Sequence, residues 1–219
     1  RCCMNLIIFG ATGATGQNLV QMALAQGHRV TAFVREPGRL LQTASQLNCV
    51  VGDVMQAATI EPALAGQDAV LCALGTMPET PADKVRRQPD VPVCSVGTIN
   101  ILAAMSQHKV RRIVVESSIS VGESRQTGRF GAATFVRTVL KRVMEDKEKQ
   151  EAALRESAAD WTIVRPARLT NGPATGRVQA GEKLRWGMLS SISRADTAEF
   201  MLSVIGDPGA VGKALTIRA

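Results

Sequence analysis

The chain has 219 residues, 45% of them hydrophobic and 21% charged, with a formal net charge of +7. That size fits one domain near the upper limit of a single core, and the composition is that of an ordinary soluble globular protein. No apolar run reaches the roughly 18–20 residues that span a bilayer, and aromatics at 3%, without a long lysine or arginine run, argue against nucleic acid.

Arg1-Cys2-Cys3-Met4 leads straight into an apolar run, which predicts no signal peptide and cytoplasmic residence. The first strand is predicted at 5–9 and the first helix at 15–26, with Gly10, Gly13 and Gly16 between and inside them. Strand, glycine turn and helix in that order are what a dinucleotide site needs: a tight turn, close approach of backbone to a diphosphate, and close packing of helix on strand. The anion then lies against the free N–H groups at the positive end of the helix.

The second strand (29–34) ends in Arg35-Glu36-Pro37-Gly38-Arg39. An NAD site would place an acid there for the ribose 2′-OH, whereas two guanidiniums suit the 2′-phosphate of NADP(H). The competing reading is a pair of solvated surface arginines. After the third strand (48–51), Asp53 either reads an adenine edge or caps the helix predicted at 56–65. The fourth strand (69–73) runs into Leu74-Gly75-Thr76, where glycine serves either approach to a ribose or a plain turn.

Residues 75–93 hold four prolines and are predicted to form a long loop. A helix (94–107), a strand (111–116), an irregular stretch (117–133), a long helix (134–157) and a strand (161–165) follow, and 167–190 reads as a turn-rich flap on the substrate side. The alternation predicts an α/β fold, a Rossmann-like doubly wound parallel sheet in one domain with a small C-terminal extension. The irregular stretches fall beyond the carboxyl ends of the strands, on the ligand side.

Five cysteines without a CxxC pair predict neither disulfides nor a metal, with Cys49 and Cys72 as core residues. His28 and His108 read as solvated helix ends. The basic stretch from Arg137 to Lys149, interleaved with Glu145, Asp146 and Glu148, reads as a solvated helix face. Met77, Phe130 and Trp186 are candidates for stacking on a substrate ring, against plain packing.

Together, Gly-Ala-Thr-Gly-x-x-Gly at 10–16, Val-Arg-x-x-x-Arg at 34–39, Gly-Asp-Val at 52–54, Gly-Gln-Asp-Ala-Val at 66–70, Leu-Gly-Thr at 74–76 and Leu-Arg-Glu-Ser at 154–157 resemble the atypical short-chain dehydrogenase/reductase superfamily. Within it the chain is most similar to the biliverdin-IXβ reductase/flavin reductase branch and the NmrA-like NAD(P)-binding proteins. The resemblance implies phosphate contacts at Gly10, Thr12, Gly13, Ala14 and Thr15, and 2′-phosphate contacts at Arg35 and Arg39. It implies adenine contacts at Asp53 and Val54, and places Leu74, Gly75 and Thr76 along the middle of the coenzyme. Ser117 and Ser118 match the active-site serine region, Ser118 more closely. Lys147 and Glu151 resemble the Lys-x-x-x-Glu of the NmrA-like branch, with Lys147 either at a ribose hydroxyl or in a surface pair with Glu151. Arg165-Pro166-Ala167 would border the nicotinamide.

One departure redirects the chemistry. The resemblance implies a tyrosine four residues before the lysine, but the chain has no tyrosine, and Val143 stands there. An NADPH-dependent reductase of flavins, quinones or tetrapyrrole-like rings is therefore the leading expectation. A non-catalytic NADP(H)-sensing regulator is the alternative, and a nucleotide-sugar epimerase or dehydratase is disfavoured. The expected partner is a small-molecule substrate, with the chain a monomer or weak homo-oligomer.

Overall fold

The structure, a computed structural model, describes residues 3–75, 92–128 and 131–219. In chain order the strands are β1 (Asn5–Phe9), β2 (Arg29–Val34), β3 (Leu47–Val51), β4 (Ala69–Cys72), β5 (Arg112–Glu116), β6 (Asp160–Pro166), β7 (Arg168–Thr170), β8 (Gln179–Gly181), β9 (Ser191–Ser193) and β10 (Lys213–Arg218). The described helices are α1 (Ala14–Ala25), α2 (Ala57–Ile60), α3 (Val93–Gln107), α4 (Ala132–Val139), α5 (Lys141–Glu156) and α6 (Arg194–Ile205).

The main sheet runs β3-β2-β1-β4-β5-β6-β10-β8, parallel except where β8 pairs antiparallel with β10. Ile8 of β1 lies between Ala32 and Leu71, so the first strand sits at the centre, and the chain reverses direction of winding beside it. That reversal opens the crevice at the carboxyl edge in which doubly wound sheets hold their ligands. β7 and β9 form a separate two-stranded parallel sheet.

Side chains alternate across a strand, so an apolar run buried on both faces divides between two cores. Leu6, Ile8, Val114 and Val164 pack with Leu19 of α1 and Met201 of α6. Ile7, Phe9, Ile113 and Ile163 pack on the other face with Ile60 of α2, Ile101 and Met105 of α3, and Leu154 of α5.

Several expectations are corrected. The helix expected at 56–65 ends at Ile60 and continues as a 3₁₀ turn, Glu61–Leu64, because Pro62 cannot donate to the α-helical ladder. The long helix at 134–157 is two, broken at Leu140 (φ −117°, ψ 32°). Its basic stretch is solvated at Lys141, Arg142, Glu145 and Lys149, but Asp146 and Lys147 turn inward and are buried, as are Gln150 and Glu151 just beyond. His28 is 5% exposed and accepts the Met4 N–H at Nδ1 (3.2 Å), so it is buried rather than a solvated helix end. Cys49 is exposed because β3 is an edge strand, whereas Cys72 is fully buried in β4. Within the flap expected at 167–190 the structure forms two short strands, β7 and β8, and β9, α6 and β10 follow it. Thr76, Met77, Phe130 and most of the 75–93 loop lie outside the described residues.

Candidate coenzyme-binding site

The glycine loop is built by steric exclusion. Gly10 ends β1 at φ +78°, and a Cβ on it would lie 2.5 Å from the Ala73 carbonyl oxygen. A Cβ on Gly16 would lie 2.0 Å from the Gly10 carbonyl oxygen, so only glycine lets α1 start this close to the strand. Gly13 precedes α1, and its N–H donates to Gly10 O at 2.9 Å. No side chain caps α1 and its first turn holds no acid. The N–H groups there are left for an anion, with the helix dipole behind them. Thr12 and Gly13 are half-buried, Ala14 is exposed, and Thr15 and Gly16 are buried beneath them.

Arg35 and Arg39 are both exposed, flanking the 3₁₀ turn Pro37–Arg39. This turn is tied to the glycine loop by Gln17, whose amide nitrogen reaches Thr12 O (3.4 Å) and Arg39 O (3.1 Å). Asp53 Oδ1 accepts the Met55 N–H at 3.0 Å, closing a local turn, and no side chain caps α2. Val54 is buried against Gly97 of α3. Leu74 is buried, and Gly75 is exposed with open space where a Cβ would stand.

At the end of β5, successive residues point to opposite sides. The Glu116 carboxyl faces the phosphate loop, accepting a hydrogen bond from Thr15 Oγ1 at 3.2 Å. Ser117 Oγ donates to Glu151 Oε1 at 2.6 Å on the α5 side. Ser118 is half-buried, and its hydroxyl makes no hydrogen bond with the described residues. Lys147 does not pair with Glu151. Its buried ammonium donates to Leu74 O (2.8 Å) and Glu116 O (2.6 Å), pinning the ends of β4 and β5 together.

Burial disfavours the charged form of Lys147, but Cys94, Glu116, Cys72 and Asp146 around it more than offset this and hold its pKa above the ordinary value. Burial pushes the Glu116 carboxyl up, and Lys147, the Thr15 hydroxyl and Arg194 bring it only part of the way back. Burial also raises the Cys94 thiol, to about 11, so this cysteine is an inert neighbour at neutral pH.

Behind Ser117 lies a buried ion pair. Arg165, wholly buried, donates to Glu151 through Nε (2.9 Å) and Nη2 (2.5 Å), and Nη2 also reaches Glu123 (2.8 Å). Pro166 is buried as the last residue of β6. Trp186 is a packing residue: it is buried, and its Nε1 donates to Ser124 O at 2.8 Å. Asp196 anchors the flap by accepting from the N–H groups of Thr175 (2.7 Å) and Gly176 (3.0 Å).

Glu116, Gln17 and Asp196 were not singled out from the sequence. For Glu116 a signal existed: it is a lone acid closing the apolar run Ile113-Val-Val. Arg165 had been assigned only to a border of the nicotinamide, and its buried pairing lies 14 residues from Glu151 along the chain.

The fold and the uncapped, glycine-lined helix start define a dinucleotide-binding α/β protein. The profile of NAD(P)H-binding proteins matches residues 10–208, and the chain belongs to that family. An uncharacterized chloroplastic protein of Arabidopsis thaliana is 29% identical over 178 residues, covering 79% of this chain and 62% of its own length. This chain therefore spans less than two thirds of that relative. Among solved structures, the anaerobilin reductase ChuY of Escherichia coli O157:H7 superposes with a TM-score of 0.78 at 20% identity, covering 97% of this chain and 96% of its own. A short-chain dehydrogenase/reductase of Veillonella parvula in complex with NADP superposes with a TM-score of 0.81 at 15% identity, covering 99% and 94%. At these identities the two structures share the fold with this chain.

Proposed function

We propose that the chain is an NADPH-dependent reductase whose hydride acceptor is a planar conjugated ring such as a flavin, a quinone or a tetrapyrrole. The observation that carries this reading is at position 143, four residues before Lys147. Val143 is buried in an apolar cluster with Val121 and Met144, in a chain without tyrosine. No phenol there can hand a proton to a carbonyl oxygen. Reduction of an isolated carbonyl leans on such an acid, whereas a conjugated ring takes hydride and collects its proton from water.

The coenzyme, when bound, supplies the hydride. The chain's residues bind and orient. Gly10, Gly13 and the first turn of α1 hold the diphosphate, with Arg35 and Arg39 on a 2′-phosphate and Asp53 and Val54 beside the adenine. Lys147 acts as a positioning residue by fixing the carbonyls of Leu74 and Glu116 as one wall of the crevice. Ser118, whose hydroxyl has no hydrogen-bond partner among the described residues, hydrogen-bonds the acceptor or the nicotinamide amide, and Pro166 closes the far side. Orientation of two flat rings then provides most of the rate. An anaerobilin reductase with the same fold is consistent with an acceptor of this shape.

The test is loss of NADPH absorbance with FMN, a quinone or biliverdin as acceptor. Turnover with at least one of them, faster with NADPH than with NADH, is expected. Tight NADPH binding without turnover across the panel overturns the reductase and favours a second reading, an NADP(H)-sensing regulator. That reading draws on the buried Lys147 ammonium, whose two hydrogen bonds both go to main-chain carbonyls rather than toward a substrate.

A further inference from the structure

Glu116 is a carboxyl in an unusual place for a protein that binds an anionic coenzyme. It is 7% exposed at the carboxyl end of β5, and its Oε1 lies 3.2 Å from the hydroxyl of Thr15. Thr15 is the second residue of α1, in the turn whose free N–H groups receive the diphosphate. One hydroxyl thus separates a buried acid from the anion site.

We propose that Glu116 is a coenzyme-site residue that takes up a proton when the diphosphate of NAD(P)H docks on the start of α1, so that coenzyme and proton load together. An ionised Glu116 would face a second anion across a poorly solvated gap, and like charges in such a setting favour the protonated acid. The charged and titratable groups around it are Lys147 from α5, Arg194 from the start of α6 and Cys72 from β4. Lys147 does not neutralise the carboxyl by contact, since its two hydrogen bonds go to the main-chain oxygens of Leu74 and Glu116. Burial already lifts the Glu116 carboxyl above the ordinary glutamate range, and these cations restore only part of the shift.

The sign follows from linkage. If the complex holds one proton more than the free protein, affinity falls as pH rises, by up to about tenfold per pH unit between the free and bound titration points. The inference rests on coenzyme docking at α1 and stands whether or not an acceptor is reduced.

The experiment is calorimetric titration of the full chain with NADPH from pH 6 to pH 9, in buffer pairs of different ionisation enthalpy, on wild type and Glu116→Gln. The 2′-phosphate also titrates, but equally in both proteins. The expected result is net proton uptake on binding to wild type beyond that of Glu116→Gln, and a Kd that rises more steeply with pH in wild type. Equal proton uptake and equal pH slopes overturn the proposal. Infrared difference spectra of wild type at pH 8 give a readout independent of the variant's folding. A protonated-carboxyl band should appear on adding NADPH, and its absence overturns the proposal equally.

Discussion

Two regions meet at the crevice and are held by different physics. The glycine loop is local and steric: Gly10 and Gly16 exclude side chains, and the helix start offers bare N–H groups. The polar cluster beneath Ser117 is non-local and electrostatic, joining Arg165 of β6, Glu151 of α5 and Glu123 of the connecting segment. A loop of the first kind fails when volume is added, and a cluster of the second kind fails when one charge loses its partner.

Ranking substitutions by expected damage tests that contrast. Arg165→Met should be the most harmful, since it leaves the buried Glu151 carboxylate with only the more distant Arg155 (3.8 Å) and the Ser117 hydroxyl, and removing one partner of a buried pair costs about 3–5 kcal/mol. Urea unfolding of the variant at pH 7 measures it. A cost near zero would mean that water reaches the site and the cluster is not the buried type inferred here.

Gly16→Ala should follow, at about 3 kcal/mol, because its Cβ would meet backbone rather than a side chain that can turn away. Its signature is the loss of coenzyme binding together with a lowered Tm. A variant that keeps both would show that the strand–helix approach is looser than 2.0 Å implies.

Asp196→Asn carries the comparison to the flap. Burial pushes the Asp196 carboxyl up, but hydrogen bonds from Ser193, the Gly176 and Thr175 N–H groups and the Thr175 hydroxyl outweigh it and hold the pKa below the ordinary value. A depressed native pKa means that stability is present above the unfolded value, about 3.9, and is lost as pH falls through the native one. The variant should lose about 2 kcal/mol at pH 7, and the gap to wild type should narrow at pH 3. A gap that widens in acid would reverse the sign argued here.

Arg35→Ala should be the gentlest. The side chain is exposed, so Tm should hold while the preference for NADPH over NADH drops about tenfold, or about 1.4 kcal/mol. Parallel titrations with the two coenzymes check it, and an unchanged ratio would return Arg35 to the solvated surface.

Much of this was readable beforehand where a residue's job depends on its near neighbours. The strand–glycine–helix order and the alternation that predicts a parallel sheet are short-range patterns, and six strands were placed within a residue or so of their observed bounds. The misreadings share a cause. His28 follows a helix-ending turn and Cys49 lies in a strand, yet the first is buried with its Nδ1 on the Met4 N–H and the second is bared by the sheet's edge. The face of α5 holding Asp146, Lys147, Gln150 and Glu151 looks hydrophilic in sequence, but its partners are main-chain groups of Cys94, Ser95, Leu74 and Glu116, the hydroxyls of Ser95, Thr98 and Ser117, and the guanidinium of Arg165.

The order of residues therefore settled the winding of the sheet, the anion-ready helix start and the lack of a phenolic acid, because steric limits, periodicity and composition act within a few residues or need no coordinates. Only the folded chain decided which charges are buried and what they face. Desolvation and Coulomb attraction act between groups brought together from distant parts of the chain, such as Thr15 and Glu116, which lie 101 positions apart.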